Sequence, residues 1–285
     1  DPFIIKTAED LANINQFITL ANSYYKLAND IDLTEYINNL ESQSWETIGN
    51  SVSPFIGNFD GNGYKISGLT INSTADYIGL FGYNSGTIRN LTLENVNVTG
   101  GNYTGALVGN NTGTIENCKI IEGIVTGTNN VGGLVGASSG TIKGSSSTVN
   151  VKGTSNVGGL VGYLTGIATT SNATGNVEAT GNNVGGLIGQ IYNINVTKTN
   201  LSLTYATGNV LSRGNNVGGL IGEIAGYSSE SCTVKAIIEK SYATGKVEGN
   251  ECIGGLIGKI RNDYFKGYYI GYAYAEILNT YATGS

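Results

Sequence analysis

A chain of 285 residues with a net charge of −6, 13% charged residues and no histidine rules out several classes of protein at once. An acidic balance without a basic cluster argues against nucleic acid or an anionic membrane surface as partner. Without an imidazole there is no Ser-His-Asp or Cys-His catalysis and no HExxH zinc site, and no apolar run approaches the ~20 residues of a membrane span.

The N-terminal part reads as a cap on the rest of the chain. Thr7-Ala-Glu-Asp10 has the spacing of a helix N-cap, with acidic residues in the first turn. Leu11, Ile14, Phe17 and Ile18 then recur at helical spacing, so an amphipathic helix is expected over residues 8–21, lying on the first coil of a larger structure. Residues 24–33 read as a strand. Residues 34–54, which contain the sole tryptophan, Trp45, read as a longer excursion, and residues 55–63 and 64–71 as strand, turn and strand. Residues 1–76 are therefore the capping helix with the first coils, and 77–285 a repeat region continuous with it in one elongated domain.

From Tyr77 onward one phrase occurs seven times. It reads Tyr77-Ile-Gly-Leu-Phe-Gly82, Thr104-Gly-Ala-Leu-Val-Gly109, Val131-Gly-Gly-Leu-Val-Gly136, Val157-Gly-Gly-Leu-Val-Gly162, Val184-Gly-Gly-Leu-Ile-Gly189, Val217-Gly-Gly-Leu-Ile-Gly222 and Ile253-Gly-Gly-Leu-Ile-Gly258. The final glycines are 27, 27, 26, 27, 33 and 36 residues apart. A fixed period in this range marks a solenoid, in which each repeat buries its apolar face only against its neighbours. Within residues 105–131, three short strands separated by turns give about nine residues per side, which is a triangular coil at the rise of a strand. The handedness of parallel crossovers then predicts an all-β, right-handed, three-sided parallel β-helix. The column Leu80, Leu107, Leu134, Leu160, Leu187, Leu220 and Leu256 is expected inward, and the neighbouring column Phe81, Val108, Val135, Val161, Ile188, Ile221 and Ile257 outward. The flanking glycines fit tight corners or close backbone approach. A phosphate cradle is disfavoured, because no Lys-Ser/Thr and no helix comes after them. Asn130, Asn156, Asn183 and Asn216 precede four of the phrases and are expected to hydrogen-bond along the axis, with Asp76, Tyr103 and Cys252 interrupting that ladder.

These phrases resemble the GLUG motif, a Gly-Leu-any-Gly core, with Ala106 departing from it. The companion Tyr-Ala-Thr-Gly phrase at Tyr205, Tyr242 and Tyr281 fits too, as do the lead-in segments Thr7-Ala-Glu-Asp-Leu11, Asn29-Asp-Ile-Asp-Leu33 and Phe59-Asp-Gly-Asn-Gly63. The resemblance implies a bacterial or archaeal protein at the cell surface or secreted. Such arrays occur in adhesin-like proteins and as non-catalytic stretches of IgA-cleaving metallopeptidases. It carries no catalytic residue over to this chain. The chain closes on the opening of another repeat at Tyr281, so a longer natural protein is expected to continue.

Other chemistry is sparse. Among Asp30, Asp32, Asp60 and Asp76, backbone-satisfied turns are the preferred reading over a carbohydrate-active site. Asp60-Gly-Asn-Gly63 lacks the ligand set of a Ca²⁺ loop, and no metal or cofactor is expected. Cys118 reads as a core filler. Cys232 and Cys252 read as two free buried thiols, with a disulfide as the alternative. The informative deviation is an insertion between the motif glycine and the Ala of the companion phrase. That gap is 11 residues at Gly162–Ala173, then 17, 21 and 24 in the last three repeats. Insertions at one coil phase must emerge on one side, as a ridge of residues 190–204, 223–241 and 259–279, and such a face is often the binding face. The last insertion carries Tyr264, Phe265, Tyr268, Tyr269, Tyr272 and Tyr274 beside Asp263 and Lys266. The first four are the candidate ligand-binding residues, while Tyr272 and Tyr274 alternate as strand residues do. The expected function is a non-enzymatic surface or secreted solenoid that binds a protein or glycan of a host or neighbouring cell. The alternatives are a carbohydrate-active β-helix enzyme and a passive spacer in a surface peptidase.

Overall fold

The chain winds into a right-handed parallel β-helix, seen in a computed structural model that describes residues 1–18, 23–194, 198–227, 234–262 and 273–284. Four sheets run along its axis. Sheet I has six strands, from Thr104–Gly105 to Ile253–Gly254, and sheet II seven, from Phe81–Asn84 to Ile257–Asn262. Sheet III has ten strands, from Phe3–Ile5 to Ala273–Leu278, and sheet IV has fourteen, ending in Tyr281–Ala282. Neighbouring coils pair in parallel with strict register, as in Val108↔Val135, Ile115↔Ile142 and Val125↔Val151. One middle coil runs through Asn129–Gly132, Val135–Ser138, Thr141–Lys143, Ser146–Ser147 and Asn150–Gly153. Sheets I and II are the two halves of the motif-bearing side, which bends at Gly133 and Leu134.

That bend corrects one expectation. The Leu column is buried from Leu80 to Leu220, but the branched column from Phe81 to Ile221 is equally buried, at 0% exposure, in the same core. Adjacent residues of one strand point to opposite faces, but Leu134 and Val135 belong to a corner rather than a continuous strand, so both turn inward. A second break falls at Asn117, whose φ of 54° ends Thr114–Glu116 and starts the turn into Lys119–Thr126. Cys118 fills the core at that break, and burial pushes its thiol up to about 12.

The residue before each phrase adopts the left-handed conformation. Tyr77, Tyr103, Asn130, Asn156, Asn183, Asn216 and Cys252 have φ between 53° and 62°. Asn tolerates this conformation better than most side chains, and here it adds a ladder. Each Nδ2 donates to the Oδ1 one coil earlier, at 2.9 Å from Asn156 to Asn130, 2.9 Å from Asn183 to Asn156, and 2.8 Å from Asn216 to Asn183. The register places Tyr77, not Asp76, at the first position of this column. Ile78 pairs with Thr104, and Phe81 with Val108, so the first repeat is one residue shorter at its bend.

At the N-terminus a strand, Phe3–Ile5, precedes the helix and pairs with Tyr24–Leu27. Helix α1, Ala8–Ala12, has the expected capping box. The Thr7 Oγ1 accepts from Asp10 N, and Asp10 Oδ2 accepts from Thr7 N. The helix is shorter than expected and passes into a 3-10 turn, Asn13–Phe17. Leu11, Ile14 and Ile18 join the core, whereas Phe17 is 46% exposed and stacks on Phe3. Within the excursion of residues 34–54, helix α2, Thr34–Asn38, leads to a buried Trp45 whose Nε1 donates to the Leu80 carbonyl.

Candidate functional site

The three insertions stack as paired strands. The sheet II strands lengthen to Ile188–Ile194, Ile221–Tyr227 and Ile257–Asn262, in the register Gln190↔Glu223↔Lys259 and Tyr192↔Ala225↔Arg261. The returning sheet III strands, Lys198–Ser202, Val234–Glu239 and Ala273–Leu278, pair likewise. Two sheet extensions therefore form a fin on one side of the solenoid. Its base is core-like, since Ile191, Leu201, Ile224, Ala225, Ala236 and Ile238 are all buried. Thr199 Oγ1 donates to Asn193 Oδ1 at 2.6 Å, and both residues are buried, which ties the outgoing strand to the returning one.

At the foot of the fin lies a buried carboxylate. Glu223 is 1% exposed. Its Oε2 accepts from Gln190 Nε2 at 2.7 Å, and its Oε1 accepts from Arg261 Nε at 2.7 Å and Asn216 Nδ2 at 3.2 Å. The ladder of asparagines thus ends on this group, and three successive insertions are linked through one side chain. A buried charge of this kind persists only when paired and hydrogen-bonded. Two coils before Glu223, Tyr163 stands half-buried against Tyr192, with ring centroids 6.3 Å apart, and burial raises its phenol to about 12. Sequence reading missed Glu223, although Tyr163, Gln190, Glu223 and Lys259 all stand one residue after a motif glycine.

Tyr264, Phe265, Tyr268 and Tyr269 lie outside the described residues, as do Asp263, Lys266, Tyr272 and Cys232. Tyr274 sits on the strand Ala273–Leu278, opposite Lys235. Cys252 is free and exposed, not buried, because it occupies the left-handed corner of the last coil.

The acidic candidates are occupied by donors. Asp30 accepts from Lys65 N, Asp32 from Thr34 N, and Asp76 from Asn102 N and Nδ2. Asp60 is buried and takes Tyr24, Arg89, Asn90 and Asn62 N. Burial acts to raise its carboxyl, but these hydrogen bonds outweigh it and hold the group below the usual range. Among the described residues no cluster of Cys, Asp and Glu is arranged to hold a metal ion, and no helix is long and apolar enough to cross a membrane.

The chain is 39% identical over 102 residues to a glycine-rich membrane protein candidate of Evansella cellulosilytica, a match that covers 35% of this chain and 12% of that protein. It is also 39% identical over 118 residues to halomucin of Haloquadratum walsbyi, covering 38% of this chain and 1% of halomucin. The chain thus spans a small part of either relative. No family model matches it. Among solved structures, an immunoglobulin A1 protease candidate from Bacteroides ovatus superposes with a TM-score of 0.70 at 22% identity, over 98% of this chain and 84% of that one. A structure named IgA1 protease gives 0.64 at 20% identity, over 97% of this chain and 21% of that one. At these identities the likeness is one of fold.

Proposed function

We propose that the chain is a non-enzymatic binding module of a surface or secreted protein, and that the inserted segments, the last above all, carry the contact. The observation behind this reading is the register of the insertions. Three added segments align coil by coil, yet repeats lacking them share the same core phrase and the same inward residues. Coil stacking does not need the added segments, and the last of them carries Tyr264, Phe265, Tyr268 and Tyr269 in its sequence. Tyr and Phe combine large contact area with little loss of side-chain freedom. The names of the matched proteins, a membrane protein and a halomucin, fit a surface setting. The partner is a protein or glycan of a host or neighbouring cell, in line with the resemblance of the phrases to adhesin-like arrays.

The test replaces Tyr264, Phe265, Tyr268 and Tyr269 with Ser and measures retention on glycan arrays and on immobilised epithelial and microbial cells, beside a thermal melt. Loss of retention with an unchanged melt supports the reading. A collapsed melt, or full retention by the variant, contradicts it.

A further inference from the structure

The companion phrase recurs with two kinds of residue, and packing explains only one of them. Ala206 and Ala243 point inward and are buried. Gly208 lies so close to the Gly175 carbonyl that a Cβ would meet that oxygen at 1.9 Å, and Gly245 stands in the same relation to Gly208. The core therefore dictates Ala and Gly. Tyr205, Tyr242 and Tyr281, and Thr207, Thr244 and Thr283, point the other way. The core does not require them, yet they return in register.

Register turns them into a surface. Tyr205, Tyr242 and Tyr281 stack face to face, with centroids 4.9 Å and 5.2 Å apart and planes within 3° and 5° of parallel. Asn172 occupies the same column one coil before Tyr205. Beside the rings runs a row of exposed Thr hydroxyls, and beside that a row of asparagines. Asn150, Asn176 and Asn209 each accept, through Oδ1, the backbone N–H of the next coil, at 3.1, 2.9 and 3.0 Å. This fixes each amide in place and leaves its Nδ2 without a partner among the described residues. On the other flank Leu203 holds a φ of 55° and is 54% exposed, so an apolar side chain sits in a backbone conformation that disfavours it, at a place where it covers no core. Leu278, also exposed, precedes the same column two coils on, and Leu211 is exposed on the opposite flank, between Glu178 and Glu248. The nearby charges are neutralised locally, Lys240 by Glu239 and Lys246 by Glu248.

We infer that this outer face of sheet IV, built on Tyr205, Tyr242, Tyr281, Thr207, Thr244 and Asn209, binds a neutral linear polysaccharide lying along the solenoid axis. A hydroxyl row runs through Thr148, Thr174, Thr207, Thr244 and Thr283 at the strand spacing of ~4.8 Å, with fixed amides beside it on the coils up to Asn209 and phenols on the coils from Tyr205, so that the coil of Tyr205, Thr207 and Asn209 carries all three. The ligand best matched to such a row repeats its own hydroxyls along a line, exchanging hydrogen bonds with the phenol and Thr hydroxyls and laying C–H groups against the exposed ring edges and Leu203. Rigid, preordered donors reduce the ordering cost of binding. A globular protein partner offers no such repeat, and an anionic polymer finds no net positive charge here. The inference shares with the fin reading only that the chain is a binding module. The fin residues stay intact in its Thr and Tyr variants, and a separate variant of the last insertion distinguishes the two sites.

The test is affinity electrophoresis of the whole chain in gels containing hydroxyethylcellulose, laminarin or yeast mannan. The expected result is retardation by at least one of the three. Thr207→Val with Thr244→Val should lower the affinity about tenfold, and Tyr205→Ser, Tyr242→Ser and Tyr281→Ser together should abolish it. The Thr pair is exposed and β-branched in both forms, so it reports on binding even if removing the Tyr stack loosens the fold. The Tyr264, Phe265, Tyr268 and Tyr269 quartet changed to Ser should be retarded like the parent. No retardation of the parent by any of the three polymers, or undiminished retardation of the Thr pair, overturns the inference.

Discussion

Gly186 faces Ala206 across the core: a Cβ built on Gly186 would sit 2.9 Å from the Ala206 Cβ and 2.2 Å from the Gly219 carbonyl oxygen. The same pairing joins Gly159 to Ala173 and Gly219 to Ala243. It explains why the two recurrent phrases travel together, since the second glycine of one leaves the space that the Ala of the other fills. The φ values of these motif glycines are not positive, so close approach rather than backbone freedom selects glycine. Gly186→Ala should destabilise the chain by about 1–3 kcal/mol through overpacking. Adding Ala206→Gly should restore little, because the Gly219 carbonyl still blocks the new methyl. Denaturant melts of the single and double variants check this.

Leu160 and Val161 make the inward turn at the bend together, both at 0% exposure. Leu160→Ala should cost roughly 2–5 kcal/mol by cavity formation. Val161→Ala should also cost well above the ±0.5 kcal/mol or so typical of surface changes. A near-neutral Val161→Ala in chemical denaturation would place that column on the outside.

Glu223 binds Gln190, Asn216 and Arg261 in a buried setting. Glu223→Ala takes this acceptor away from all three donors, so a loss of about 3–5 kcal/mol is expected, the usual penalty for breaking a buried pair. Glu223→Gln should retain part of that stability. Hydrogen exchange should show the loosening first in the strands Ile221–Tyr227 and Ile257–Asn262.

Two groups give the chain opposite pH limits. The Cys118 thiol is raised by burial from 9.0 to about 12. A raised folded value means its contribution is complete below pH 9.0 and is lost as pH climbs toward 12. Cys118→Ala should flatten the alkaline arm of the melting-temperature profile. The Asp60 carboxyl is lowered from 3.8, so its contribution is present above that value and disappears as pH falls further. Asp60→Asn should flatten the acid arm and leave the alkaline arm unchanged.

Much of this architecture could be read from the residues, because the solenoid writes its period into the chain. The Leu column, the Asn ladder and the common phase of the insertions all come from spacing alone. What escaped the sequence depended on local geometry. The inward turn of Val135 requires the bend at Gly133 and Leu134, which strand alternation does not foresee. The displacement of Asp76 by Tyr77 reflects a one-residue deletion that only the Ile78–Thr104 pairing exposes. Helix α1 ends at Ala12 although Ile14 and Ile18 keep helical spacing, since a 3-10 turn delivers both to the core. The Tyr205–Tyr242–Tyr281 stack joins residues 37 and 39 positions apart, which only the coil register brings together.

If the chain is a binding module, as proposed, it holds its ligand without turning it over. Incubating the chain with neutral and anionic polysaccharides and following the release of reducing and unsaturated ends over time tests this directly. No release above the buffer control is expected, consistent with a chain lacking histidine and with every acidic candidate engaged by hydrogen-bond donors. Release that scales with protein concentration and disappears on Asp60→Asn, while the fold is retained, would contradict it.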